Sequence, residues 1–147
     1  MTVRDLAAGD EPRWRELWAD FLEFYEHPLP EEVTATTLTR LLAREDGMRG
    51  QVAVADDGKV VGFVHTVVHA GTWSVAPRCY LEDLFVAADV RGTGAGRALI
   101  EAARTHAAAL GCSEVYWITE SGNATARRLY DRVAKLADYV RYEIELG

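Results

Sequence analysis

The chain is poor in several residue types, and each shortage excludes a class of protein. It has two cysteines, Cys79 and Cys112, whose spacing fits no metal-binding motif. No apolar run approaches the roughly 20 residues that a membrane-spanning helix needs. The first residues lack the apolar segment of a signal peptide. We therefore expect a cytoplasmic protein in a reducing compartment, with no membrane association and no bound metal.

Positive charge is scarce as well. The 147 residues contain 16 Lys and Arg against 23 Asp and Glu, which gives a formal net charge of −7. A general nucleic-acid binder should show a basic face, so this balance argues against direct nucleic-acid binding and mildly favours a cationic substrate or partner. The length suits one domain, which we place at residues 1–147.

Hydrophobic periodicity and turn signals predict an α/β (α+β) fold with the element order β, α, α, three strands, α, β, α, β. The dipeptide Asp57-Gly58 indicates a hairpin. In the first helix, Asp10 is placed to cap the N-terminus, and the stripe from Trp14 to Tyr25 is interpreted as core. The predicted strands cover residues 2–6, 51–55, 59–68, 80–86, 115–119 and 139–146, and the helices after the first cover 31–44, 94–110 and 123–137.

A glycine-rich stretch lies between a predicted strand and a predicted helix, and it reads Arg91-Gly92-Thr93-Gly94-Ala95-Gly96-Arg97. The first amide groups of a helix lack internal partners and the helix dipole is positive there, so anion oxygens find donors at this position. Three glycines allow turns that a Cβ would forbid. The stretch therefore predicts a phosphate-binding loop.

The spacing of this loop excludes two common phosphate-binding motifs. A Walker A loop requires Lys-Ser/Thr after its last glycine, whereas Gly96 is followed by Arg97-Ala98. A dinucleotide fingerprint would require a glycine at position 97 or 99, and neither is present. The pattern that remains is Arg-x-x-Gly-x-Gly.

This pattern resembles the pyrophosphate-binding motif of the GCN5-related N-acetyltransferase (GNAT) superfamily. The segments Tyr80–Val86 and Asn123–Tyr130 are similar to further family signatures, in the family's order. The likeness is greatest to small histone, polyamine and D-amino-acid N-acetyltransferases. It implies a mostly antiparallel mixed sheet of about six to seven strands flanked by four helices, with acetyl-CoA as cosubstrate.

Amine acetylation needs a group that accepts the proton of an ammonium ion, and Glu82 and Asp83 are the candidates. Adjacent strand residues point to opposite faces, so at most one of them should meet the amine. Periodicity does not choose between them, and the resemblance implies Glu82. The four histidines show no metal-ligand spacing, and no carboxylate partner can be inferred for any of them; they are His27, His65, His69 and His106.

The resemblance also implies the remaining site residues. Tyr130 is the candidate general acid for the departing thiolate, and it contacts the cofactor. Asn123 is expected to cap the last helix and to contact the cofactor. The pantetheine arm would bind along Leu84, Phe85 and Val86 as an added strand. Further candidates for acceptor binding, beside Glu82 and Asp83, are Trp73 and Glu120.

The acceptor is left open by the sequence. A polyamine or a lysine of a basic protein is favoured, with a free amino acid, including the D form, or an aminoglycoside-like amine as the alternative. A third hypothesis, of another class, is a CoA-binding sensor without turnover. Relatives are often dimers, so we expect a homodimer.

Overall fold

The computed structural model describes all residues from 1 to 147 as a single five-stranded sheet with four α-helices. The strands are β1 (Thr2–Asp5), β2 (Met48–Val54), β3 (Val60–His69), β4 (Arg78–Val86) and β5 (Val115–Tyr116). The helices are α1 (Glu11–Phe24), α2 (Glu31–Ala43), α3 (Ala95–Ala109) and α4 (Ala124–Val133).

The sheet follows the chain order β1-β2-β3-β4-β5, with antiparallel pairing except between β4 and β5, which are parallel. Successive residues of its central strands point to opposite faces. Phe63 packs with Trp14 and Leu17 of α1, while its neighbour Val64 packs with Leu99 of α3. Two apolar layers therefore cover the sheet, one beneath α1 and α2 and one beneath α3. The predicted core stripe of α1 is confirmed at its buried residues, which are Trp14, Leu17 and Trp18.

Several local predictions are confirmed. The Asp57-Gly58 turn connects β2 to β3, and Gly58 adopts a φ of 87° that glycine tolerates best. Gly111 follows α3 with a φ of 72°. Asp10 precedes α1 as predicted, but its side chain does not cap the helix. Its carboxylate instead accepts hydrogen bonds from Arg4, at 2.8 and 2.9 Å, and from the amide of Ala7 at 2.9 Å.

The predictions for the C-terminal part are wrong in two respects. The last helix ends at Val133, and Leu136 beyond it is exposed, so no packing remains to extend the helix to Ala137. Residues 139–146 form no strand, and the sheet has five strands rather than six to seven. Alternating apolar residues do not make a strand unless another strand pairs with their backbone, and this segment has no such partner.

The strand predicted at 115–119 is also shorter than expected and contains two residues, Val115 and Tyr116. No helix is long and apolar enough to cross a membrane. No group of three or more His, Cys, Asp or Glu side chains is arranged to hold a metal ion.

Candidate active site

A pocket opens where β4 and β5 separate. β5 pairs with β4 only through Val115 with Cys79 and Tyr116 with Tyr80. Beyond these pairs one edge of β4 has no neighbouring strand, since β3 occupies its other edge. The resulting pocket has a volume of about 880 Å³, and α1, α2, β3, β4, the segment after β5, α4 and the C-terminal segment contribute residues to its walls.

A β-bulge brings two carboxylates into this pocket. His65 of β3 pairs with Asp83, while the next residue, Thr66, pairs with Leu81, so Glu82 has no partner in β3. An extra residue in one strand interrupts the alternation of side chains. Both Glu82 and Asp83 line the pocket. The strict alternation from which the prediction started, with the two side chains on opposite faces, is therefore not observed at this bulge.

The carboxylate of Asp83 is held by a chain of hydrogen bonds from the core. The indole nitrogen of Trp14 donates to Nε2 of His65 at 3.0 Å, and Nδ1 of His65 lies 2.9 Å from Oδ2 of Asp83. An indole N–H can only donate, so Nε2 must accept and the ring proton must lie on Nδ1. His65 therefore donates to Asp83 as a neutral imidazole. Its side chain is 3% exposed, and Trp14 is fully buried.

Glu82 has the properties of a proton acceptor for an ammonium ion. Partial desolvation in the pocket raises the pKa of Glu82, although its side chain remains exposed, and the negative charge of Asp83 raises that pKa further. The neighbouring His65 and Arg141 act in the opposite direction. A carboxylate with a raised pKa holds a proton more readily, which makes it the better base of its kind.

Tyr130 faces the same pocket from α4. Burial raises the pKa of its phenol to about 12, with a further contribution from Tyr25. Its ring contacts Trp117 edge-on, with the ring centroids 5.4 Å apart. The hydroxyl therefore carries its proton throughout the neutral range and can donate it to a group in the pocket.

The predicted phosphate loop has the conformation that such a site requires. Gly92 and Gly94 have φ values of 85° and 92°, and a Cβ at either position would meet no atom within 4 Å. Glycine is required at both positions by backbone conformation and not by space. α3 begins at Ala95 with no side-chain cap, so its first amide groups are available to an anion.

Gly96 is constrained by packing instead. A Cβ at this position would lie 3.2 Å from Cδ2 of Leu129. Gly96 thus lets the start of α3 approach α4, the helix that carries Tyr130. The loop and the candidate acid are linked through this contact.

The two arginines of the loop and Thr93 occupy its outer surface. Nε of Arg91 donates to the carbonyl oxygen of Val86 at 3.1 Å, and its guanidinium lies over the rings of Phe24 and Phe85. Thr93 donates through its hydroxyl to the carbonyl of Val90 at 2.6 Å. Arg97 is exposed on the first turn of α3. These contacts fix the loop at the end of β4.

The other predicted residues divide into two groups. Glu120 lines the pocket, and its negative charge contributes to raising the pKa of Tyr25. Leu84 also lines the pocket, on the segment of β4 whose edge is free. Trp73 lies on the loop after β3, is 96% exposed and does not line the pocket. Asn123 stands at the start of α4 without capping it, and its side-chain amide lies 3.5 Å from the hydroxyl of Thr119.

Several residues that line the pocket were not predicted as site residues, among them Tyr25, His65 and Arg141. Tyr25 ends the apolar stripe of α1 and was interpreted as core, although its half-buried ring lies in the pocket wall. The role of His65 could not be predicted, because its partner Asp83 is 18 residues away and no sequence pattern indicates the bulge that aligns them. Arg141 belonged to the strand that does not form, and it also lines the pocket.

The charged residues in the pocket walls are mainly acidic. The walls contain five carboxylates and only one Lys or Arg side chain, that of Arg141. The carboxylates belong to Asp46, Glu82, Asp83, Glu120 and Glu143. Such a pocket attracts positively charged molecules.

Known proteins with similar sequences and structures include several acetyltransferases. The chain is 34% identical over 144 residues to D-amino-acid N-acetyltransferase HPA3 of Saccharomyces cerevisiae, covering 97% of this chain and 89% of that protein. It is 33% identical over 119 residues to aminoglycoside N(6')-acetyltransferase type 1 of Stenotrophomonas maltophilia, covering 78% and 72%. The solved structure of AAC(6')-Iy with the bisubstrate analogue CoA-S-monomethyl-acetylneamine superposes with a TM-score of 0.85 at 20% identity, covering 99% and 97%.

The profile of the Acetyltransferase (GNAT) family matches residues 13–134, a range that begins in α1 and ends just after α4. Enzymes of this family use acetyl-CoA as their cosubstrate. The matched range contains the bulge, the glycine loop and Tyr130. The chain belongs to the GNAT family of N-acetyltransferases.

Proposed function

We propose that the protein transfers an acetyl group from acetyl-CoA to a primary amine of a small cationic molecule, by direct attack in a ternary complex. The observation that carries this proposal is the composition of the pocket, whose walls contain five carboxylates and a single arginine, with Tyr130 facing the same space. Multiply charged amines such as polyamines fit this pattern best. Aminoglycoside-like amines share the same chemistry.

The residues around the loop suit acetyl-CoA. The pyrophosphate would bind the amide groups at the start of α3, where Gly92 and Gly94 allow the backbone to turn toward it. The pantetheine arm would lie along the free edge of β4 at Leu84, Phe85 and Val86. This arrangement would direct the thioester toward the pocket between Glu82 and Tyr130. Holding both reactants in one site would supply much of the rate.

The chemical step needs two proton transfers. The acceptor arrives as an ammonium ion, and Glu82 accepts its proton directly or through water, which frees the nitrogen lone pair. The nitrogen attacks the carbonyl carbon of the thioester, a C–N bond forms, and the C–S bond breaks. Tyr130 donates its phenolic proton to the leaving thiolate, and proton exchange with solvent restores both groups.

A free amino acid is the second candidate acceptor. Its carboxylate needs a cationic partner, and Arg141 is the one arginine that lines the pocket. The 34% identical relative named for its action on D-amino acids favours the same possibility. The remaining pocket charges are negative, however, so we rank an amino acid below a polyamine.

A panel of acceptor amines distinguishes a polyamine from a free amino acid as the acceptor. Purified protein is incubated with acetyl-CoA and either a polyamine, an aminoglycoside, a lysine-rich peptide, or L- and D-amino acids, and free thiol is measured. We expect fastest thiol release with polyamines, and a rate for amino acids that drops in an Arg141→Gln variant. Fastest release with D-amino acids would overturn the ranking. Acetyl-CoA binding without amine-dependent release would instead support a sensor.

We also propose that the protein is a homodimer, formed through its C-terminal segment. The alternating residues Val140, Tyr142, Ile144 and Leu146 are each at least 80% exposed, and in an extended strand they would lie on one side. Such a concentration of exposed apolar side chains marks an interaction surface more often than the surface of a monomer.

A second copy fits this segment because β5 is the last strand of the sheet and its outer edge is unpaired. The segment of each copy would pair with β5 of the other, which gives a closed two-fold dimer. Light scattering should report a dimer, and Ile144→Glu should convert it to a monomer. Glu145→Gln serves as the control, because Glu145 follows Ile144 and would lie on the opposite side of the strand. A monomeric wild-type protein would overturn this proposal.

A further inference from the structure

Two residues of the core control the orientation of one of the pocket carboxylates. Trp14 is fully buried and His65 nearly so, yet together they connect the interior of the α1 layer to Asp83 at the pocket surface. The side chain of Asp83 is 17% exposed, so it retains access to the pocket.

The direction of the hydrogen bonds follows from the donors available. The indole N–H of Trp14 occupies Nε2 of His65, which therefore has no room for a proton. The single proton of the imidazole lies on Nδ1 and is donated to Oδ2 of Asp83. Oδ2 of Asp83 is thus engaged by His65, and Oδ1 makes no hydrogen bond within the protein.

Trp14 therefore determines which nitrogen of His65 carries the ring proton, although the indole lies outside the pocket walls.

We infer that Trp14 and His65 are positioning residues that fix the carboxylate of Asp83 as the anchor for the acceptor's ammonium group. This inference rests on the proposed function. The two carboxylates at the bulge then have different roles, because Glu82 removes the proton and Asp83 binds the cation. Because Oδ2 is fixed by His65, Oδ1 is directed toward the acceptor.

Two amide substitutions of His65 separate its two hydrogen bonds. In His65→Asn, the side-chain amide nitrogen occupies the region of Nδ1 and can still donate to Asp83. In His65→Gln, the longer side chain reaches the region of Nε2 and can accept from Trp14, but it leaves Asp83 without its donor. Both variants replace the same buried ring with a polar amide, so each serves as the control for the loss of packing in the other.

The measurements are the KM of the amine, the KM of acetyl-CoA and the midpoint of thermal unfolding. We expect His65→Gln to raise the amine KM about tenfold, the effect of one hydrogen bond to a charged group, with the acetyl-CoA KM unchanged. His65→Asn should leave the amine KM within about threefold of wild type. Equal amine KM values in the two variants would show that His65 acts only through packing, and would overturn the inference.

A spectroscopic measurement tests the inference independently of turnover. Nitrogen-15 NMR of the histidine side chains in the wild-type protein should show His65 as a neutral ring with its proton on Nδ1. Trp14→Phe should change this signature, while Trp18→Phe, which removes the indole N–H bonded to Thr34, should not. A proton on Nε2 in wild type would overturn the inference even if the enzyme is active. Absence of turnover with a correct signature would overturn the proposed function instead.

Discussion

Glu82 and Asp83 are consecutive in the chain, yet both side chains reach the same pocket because the bulge of β4 leaves Glu82 unpaired. A regular strand would have placed one of them on each face of the sheet. The two negative charges are coupled, since the charge of Asp83 raises the pKa of Glu82. The bulge thus creates a base and a cation-binding group from two adjacent residues.

This coupling predicts how activity depends on pH. The acid limb of kcat should follow the ionisation of Glu82, at a pH above the ordinary carboxyl value of 4.5. Asp83→Asn removes a charge that raises this pKa, so the limb should move to lower pH. Arg141→Gln removes a charge that lowers it, so the limb should move to higher pH. pH profiles of kcat at saturating substrates test both shifts. An acid limb that neither substitution moves would show that Glu82 is not the general base.

Loss of the phenol of Tyr130 should slow the chemical step. With its pKa at about 12, this phenol is protonated at neutral pH and can act as an acid. Tyr130→Phe should lower kcat by about 100-fold, the effect expected of general acid catalysis, with binding of acetyl-CoA retained. The control is Tyr116→Phe, because the hydroxyl of Tyr116 contacts His69 and neither residue lines the pocket. Similar kcat values for Tyr130→Phe and wild type would remove the acid assignment.

The glycines of the loop should affect acetyl-CoA and not the amine. Gly94→Ala forces alanine into a left-handed conformation at a cost of about 1 kcal/mol, and we expect it to raise the KM of acetyl-CoA at least fivefold. Gly9→Ala is the control, since Gly9 lacks a positive φ and a Cβ there meets no atom within 4 Å. A change confined to the amine KM would contradict the placement of the pyrophosphate.

The acidic pocket should make amine binding sensitive to salt. The attraction between a polyamine and the pocket carboxylates weakens as the Debye length falls from about 10 Å at 0.1 M salt to about 3 Å at 1 M. The KM of the polyamine should therefore rise with salt. Steady-state kinetics at several salt concentrations measure this, and a KM for a neutral amine of similar size should change less. A polyamine KM independent of salt would argue against the acidic pocket as its binding site.

The ion pair between Arg4 and Asp10 should make stability depend on pH. Hydrogen bonds from Arg4 lower the pKa of Asp10 below its ordinary value of 3.8. The folded state therefore binds this proton less readily than the unfolded state, so the contribution is present above about pH 4 and is lost as the pH falls through the folded pKa. At pH 7, Asp10→Asn should reduce the free energy of unfolding by about 1–2 kcal/mol. Urea unfolding at pH 7 and at pH 2.5 tests this, because the difference between the proteins should shrink at the lower pH.

The sequence allowed some features to be predicted because their causes are local. The hairpin at Gly58 and the glycine loop depend on backbone freedom at single residues, and both appear where expected. The stripe of α1 follows helical periodicity, so Trp14, Leu17 and Trp18 could be assigned to the core.

Other features depend on contacts between distant segments. The bulge exists only in the pairing of β4 with β3, and the partners of His65 come from α1 and β4. The alternation of residues 139–146 predicted a strand, but a strand needs a neighbour, and no strand of this chain provides one. Sequence patterns therefore supplied candidate site residues, and the tertiary pairings determine what each of these residues contacts.

The most direct test of the central claim is the stoichiometry of one reaction. The wild-type protein is mixed with acetyl-CoA and a polyamine, free CoA is measured by its thiol, and the acetylated amine is measured by mass spectrometry. We predict that both products form in equal amounts and that neither forms without the amine. Release of CoA that does not depend on the amine, or no acetylated polyamine at all, would contradict the account.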